Sequence, residues 1–199
     1  MDTLVWFDAY GMGMHTRPPI SYAGSYWDNY RQLDATPMGE ALTAARAALV
    51  RRHAPSLDPA TLVDVGIGGG RFVEEMGCMG CDVNPEAVAW LGARYSYLDP
   101  LRHPVEALTF WDSLEHIPDP VAIVSQARRW VFVSMPIYCS MEGVLNSPHY
   151  KPGEHLWYWT QAGLVDWFGR LGFVLRESNA QETALGRRGI ISFAFERET

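Results

Sequence analysis

Four glycines fill five positions, at Gly66, Gly68, Gly69 and Gly70, with an acid before them at Asp64 and another after them at Asp82. Glycine lets a backbone take left-handed angles and lets a ligand approach main-chain amides closely. Where such a loop opens a helix, the free N–H groups and the helix potential favour a polar ligand. The two acids narrow the choice. The spacing is G-x-G-x-G; a dinucleotide fingerprint needs glycine where Arg71 stands. Asp64 would repel a pyrophosphate and attract a cation. An acid placed like Asp82 can accept hydrogen bonds from ribose hydroxyls. Together they imply a nucleoside with a cationic, phosphate-free tail, which is the chemistry of S-adenosylmethionine.

A second constellation lies in "WDSLEHIPDP". Asp112, Glu115 and His116 share one face if the chain makes a helical turn there. Asp112, His116 and His155 are candidate proton acceptors. Asp112, Glu115 and His116 also have the donor types for a divalent metal, a lesser reading beside a purely loop-fixing role. Cys78 and Cys81 make a lone C-x-x-C with no second pair, so neither a zinc site nor a disulfide framework is expected.

Strand–helix alternation must position these groups. "TLVDV", "CMGCDV", a weak strand near Tyr95–Leu98, "VEALTFWD" and "WVFVSMP" read as strands. Helices are expected from Thr36–Pro37, over "GRFVEEM" and "PEAVAWLGARY", over "DPVAIVSQARR", and from Thr160 to a stop at Gly172. "FVLRES" and "GIISFAFERE" close the chain as a hairpin. The pattern implies an α/β fold with a mostly parallel sheet, helices on both faces, and a ligand at the carboxyl ends of the strands. Residues 1–35 read as an irregular aromatic lid over a domain at 36–199. A long loop from Ile137 to about Trp159 is expected to shape an acceptor pocket.

The chain has 199 residues, 48% of them hydrophobic, and a net charge of -7. One domain is expected. The acidity argues against nucleic acid and anionic membranes, and the basic pairs at Arg51–Arg52, Arg128–Arg129 and Arg187–Arg188 are isolated. The N-terminus reads as neither signal peptide nor membrane span, so a cytoplasmic monomer or homodimer is expected.

"LVDVGIGGGRFVEEM", "GCDVNPEAVAWL", "FWDSLEHIPDP" and "EHLWYWTQAGLVDWFGRLGF" resemble, in order and spacing, the class I S-adenosylmethionine-dependent methyltransferases. The "WDSLEH" segment resembles that of ubiquinone-biosynthesis O-methyltransferases, which have two acids and a histidine here and can bind a metal. The resemblance implies a Rossmann-like, seven-stranded sheet with its last strand antiparallel. It implies Asp64, Gly66, Gly68 and Gly70 around the methionine part of the cofactor, Asp82 on the ribose, Val83 and Asp99 at the adenine, and Asp112 near the methyl. It also suggests a lid carrying Tyr26, Trp27 and Tyr30. In the long loop, Tyr138, His149, Tyr150, His155, Trp157 and Trp159 are the candidates to line the acceptor pocket. The expected reaction is methyl transfer to O or N of a small molecule, with S-adenosylhomocysteine as product. The alternatives are a methyltransferase for nucleic acid or a nucleotide, and a catalytically silent cofactor-binding subunit.

Overall fold

The computed structural model describes residues 4–15, 25–94 and 96–198. Its sheet follows from period-two burial. Val63, Leu108, Val131 and Phe195 enter one core beside Leu164 and Phe168 of α7 (Gln161–Arg170). Their chain neighbours Leu62, Ala107, Phe132 and Ala194 enter the other, beside Leu49 and Val50 of α2 (Pro37–His53). A strand buried on both faces must be apolar throughout. Each fully buried Phe or Leu contributes about 1.5–3 kcal/mol.

β4 (Met79–Cys81), β3 (Leu62–Val65), β5 (Val105–Trp111) and β6 (Ala127–Tyr138) run parallel in that spatial order. β9 (Ile190–Arg197) pairs antiparallel to β6, and β8 (Phe173–Asn179) pairs antiparallel to β9. A parallel bridge from Gly80 to Tyr97 stands where a strand over 95–98 is expected; Tyr95 lies outside the described residues. With that bridge counted, this is the seven-position, mostly parallel sheet with an antiparallel last strand. α3 (Arg71–Met76), α4 (Pro85–Ala93) and α5 (Pro120–Val124) connect its strands. Thr36, Asn84 and Asp119 each precede a proline, and each side chain accepts from a backbone N–H of the first turn. Thr160 does the same for α7. Such caps contribute about 1 kcal/mol each.

Three expectations need correction. Residues 4–15 and 26–34 are not irregular: β1 (Leu4–Phe7) and β2 (Met12–His15) form a hairpin, and α1 spans Tyr26–Asp34. Tyr22 lies outside the described residues. The segment after Ile137 is not one loop, because it carries α6 (Met141–Leu145) and β7 (Trp157–Thr160). The cause is shared. β6 outruns β5, whose last partner on it is Ser134, and β7 pairs with Ile137 and Tyr138 beyond that point. β2 then pairs with β7. Finally, α5 stops at Val124. Ala127 is fully buried in β6 and its carbonyl accepts from Arg197 Nε, so tertiary contacts override the helical pattern.

Candidate active site

A cavity of about 1190 Å³ opens at the carboxyl ends of β3, β4 and β5. Gly66, Gly68 and Gly70 have φ of 76°, 56° and 83°, left-handed angles that disfavour side chains. A Cβ at Gly66 would lie 2.7 Å from Ser113 Cβ. A Cβ at Gly68 would lie 3.1 Å from the Tyr30 ring. Asp82 holds this loop: its Oδ2 accepts from Ile67 N at 2.9 Å and its Oδ1 from Asn84 N at 2.8 Å. A carboxylate has about four lone-pair sites, so two hydroxyls can still be bound. α1 lies against the loop, with Arg31 Nη1 donating to Gly69 O at 2.9 Å.

Asp64 is buried beneath the loop and accepts from Thr109 Oγ1 at 2.7 Å. Burial pushes its carboxyl up to about 7, with Thr109 opposing. A buried acid poised this way gains from a cation placed beside it.

The same cavity is lined by Glu115, His116 and His155, with one ligand atom from each within 4.8 Å of the others. A 3-10 turn, Leu114–His116, follows β5 and presents the first two. Leu156 N donates to Glu115 O at 2.8 Å and Trp157 Nε1 to Ile117 O at 2.9 Å, which brings the later segment onto this turn. The two imidazoles meet edge to face with centroids 4.7 Å apart. Burial holds His116 below its usual range and His155 at about 3, so both are neutral at pH 7. Burial, then the Asp112 charge, pushes the Glu115 carboxyl up. Neither Glu115 carboxyl oxygen, Oε1 or Oε2, has a hydrogen-bond partner.

A family profile described as a methyltransferase domain matches residues 38–178. The chain belongs to that methyltransferase family. Among curated relatives, the ubiquinone biosynthesis O-methyltransferase of Bordetella parapertussis is 28% identical, the match covering 56% of this chain and 56% of that protein. Its counterpart in Acinetobacter baylyi is 26% identical over 69% of this chain and 58% of its own length. The chain thus spans less than two thirds of the curated relatives it matches. Among solved structures, the magnesium protoporphyrin IX methyltransferase of Synechocystis with bound SAH superposes with a TM-score of 0.63 at 13% identity, covering 89% of this chain and 96% of that one. The Burkholderia thailandensis 1,6-didemethyltoxoflavin-N1-methyltransferase gives 0.58 at 14%, covering 98% and 99%. These likenesses confirm the class I, Rossmann-like fold.

In this chain, Asp64, Gly66, Gly68, Asp82, Val83, Asp99, Asp112, His116 and His155 line the cavity with Tyr26, Tyr30 and His149. Gly70 lies behind it as the cap of α3, against Trp90. Four acceptor-pocket or lid assignments are corrected. Trp159 is fully buried and packs on Trp157 and Trp167, because it sits on the inward face of β7. Tyr138 and Tyr150 pack on Tyr158, within and beside a third apolar cluster. Trp27 packs on Trp90 against the core that holds Leu49 and Val50. Asp112 is corrected in role: its carboxylate is tied to Arg46 and Arg187, which holds it below the usual carboxylate range. That makes it a poor proton acceptor, and its charge is already engaged by two cations rather than offered to a metal. His155 joins Glu115 and His116 in its place. Arg46, Ser113, Glu182 and Arg187 carried no sequence signal, since each acquires its role only through a partner distant in the chain.

Proposed function

We propose that this methyltransferase transfers a methyl group from S-adenosylmethionine to an O or N atom of a small-molecule acceptor, with His116 and His155 as the proton-accepting pair. The carrying observation is the neutral, edge-to-face imidazole pair lining the same cavity as the glycine loop. The cradle fits the cofactor: two left-handed glycines, Gly66 and Gly68, leave space against Ser113 and Tyr30, Asp82 keeps lone pairs for ribose hydroxyls, and Asp64 supplies a buried acid for the cationic tail. When bound, the cofactor supplies a methyl on a sulfonium, a leaving group that needs no activation. The protein's part is to orient the acceptor, exclude water and take a proton. α1, with Tyr30 over Gly68, serves as the lid. His116 lies nearer solvent than His155 and is the acceptor's direct partner; His155 backs it. Incubation with methyl-labelled S-adenosylmethionine and a panel of phenols, catechols and amines tests the reading. Label found in no acceptor, despite cofactor binding, would favour a silent cofactor-binding subunit.

The unpartnered, buried Glu115 carboxylate favours a second reading, in which Glu115, His116 and His155 hold a divalent metal. The donor set fits: one carboxylate and two neutral imidazoles suit first-row transition ions better than magnesium. Such an ion would lower the pKa of an acceptor hydroxyl. Calorimetric titration with manganese or zinc is expected to show binding that Glu115→Gln abolishes; no heat from either ion leaves the imidazole pair as the base.

The pH dependence of cofactor affinity tests Asp64. Its folded pKa lies above the unfolded value, so the folded state retains the proton, and this group's contribution to stability falls as pH rises from about 4 to about 7. A bound cation favours the ionised form. Affinity for S-adenosylmethionine is therefore expected to rise through that window. Asp64→Asn should flatten the rise while raising the melting temperature above about pH 7. An unchanged pH profile in the variant would remove Asp64 from the cofactor site.

A further inference from the structure

Asp112 is the one non-glycine residue with a positive φ among the described residues, at 55°. That angle disfavours a residue with a Cβ, less for Asp than for most, and here the side chain is also tied down. Its Oδ2 accepts from Arg187 Nη1 at 2.7 Å and Arg46 Nη2 at 2.9 Å, and its Oδ1 accepts from Arg187 Nη2 at 2.9 Å. Both guanidiniums also reach Glu182, which is 1% exposed: Arg46 Nε at 2.7 Å, Arg187 Nη1 at 2.6 Å. Ser134 Oγ donates to the same carboxylate at 2.7 Å. Arg46 lies 5.4 Å above the Trp111 ring. Two acids and two guanidiniums thus close a charge-balanced clamp from α2, the end of β5, α8 (Gln181–Ala184) and the turn after it. Glu182 and Arg187 lie beyond residue 178, where the family match ends.

The turn has a destination. It folds Ser113 back onto the glycine loop, where Ser113 Oγ donates to Val65 O at 2.5 Å and Ser113 Cβ fills the place a Cβ on Gly66 would need. The same turn sets where the Leu114–His116 segment begins. We infer that Arg46, Glu182 and Arg187 are positioning residues for methyl transfer: their clamp imposes the left-handed turn at Asp112, and through Ser113 that turn shapes the cofactor loop. The inference rests on the S-adenosylmethionine reading of that loop.

Two double variants isolate the turn from the charges. Arg187→Met/Asp112→Gly and Arg187→Met/Asp112→Ala both leave Arg46 paired with Glu182, and both lack the Asp112 carboxylate. Only glycine adopts the left-handed angle unaided. S-adenosylhomocysteine affinity is measured by calorimetry below both melting transitions, beside the wild type. The glycine double is expected to bind roughly fivefold or more tightly than the alanine double, the size of a left-handed penalty that binding must otherwise overcome. An alanine double that fails to fold beside a glycine double that binds supports the same conclusion. Equal affinities overturn the inference. So does failure of both doubles to fold, which would make the clamp a stability element alone. No binding by the wild type would overturn the cofactor reading itself, and the inference with it.

Discussion

Asp82→Ala is expected to weaken S-adenosylhomocysteine binding by about a hundredfold or more, because hydrogen bonds to a charged group are worth roughly 1.5–3 kcal/mol each and more than one is lost. The loss has two sources. The variant gives up the lone pairs available to ribose hydroxyls. It also releases Ile67 N, the amide that pins the glycine loop to the end of β4. Asp82→Asn separates them, since its carbonyl oxygen can still accept from one backbone N–H. An intermediate affinity with near-normal melting is expected for asparagine. Alanine should also lower stability by about 1–3 kcal/mol, the cost of an unsatisfied buried amide. Calorimetry and thermal melts on both variants check this. Alanine binding as tightly as wild type would place the ribose elsewhere.

The second large effect is expected at His116. His116→Gln should lower the methyl-transfer rate by about 10²–10⁴-fold, the usual contribution of a positioned proton acceptor. Cofactor affinity should not change, because the cofactor reading rests on the glycine loop, Asp64 and Asp82 rather than on this imidazole. Single-turnover rates with a labelled methyl group, beside S-adenosylhomocysteine titrations, provide both readings. A fall in cofactor affinity that matched the fall in rate would assign His116 to loop architecture instead. His155→Gln is expected to have a smaller effect. Its imidazole is held at about 3 by burial and the neighbouring His116, too weak a base to take the proton itself. If activity requires added manganese or zinc, both variants should bind that ion more weakly.

Local chemistry made much of the framework legible. The cap-proline pairs at Thr36, Asn84 and Asp119 start their helices where the sequence indicates, since a cap and its proline act within one turn. The apolar run ending at Met135 is a doubly buried strand, as its composition requires. Gly66, Gly68 and Asp82 reach one cavity because the loop and the strand end lie side by side in any sheet of this order. The N-terminal hairpin was not legible. "MGMH" has no strong strand signature, and its pairing depends on β7, which itself exists because β6 projects past β5.

The fate of Asp112 shows the same division within the site. Its place at the end of β5, three and four residues before Glu115 and His116, is fixed by the sequence, and so is the chemistry of the three side chains. What the carboxylate does is decided by Arg46, 66 residues earlier, and Arg187, 75 residues later. Those partners claim it, and His155 arrives in its stead because Leu156 N bonds to Glu115 O. The sequence by itself determined the methyltransferase fold, the glycine cradle and the inventory of acids and imidazoles, since each rests on short-range spacing and periodic burial. Only the tertiary structure decided which of those groups are free to act. Ion pairing and desolvation depend on neighbours that are distant along the chain, and no local pattern encodes them.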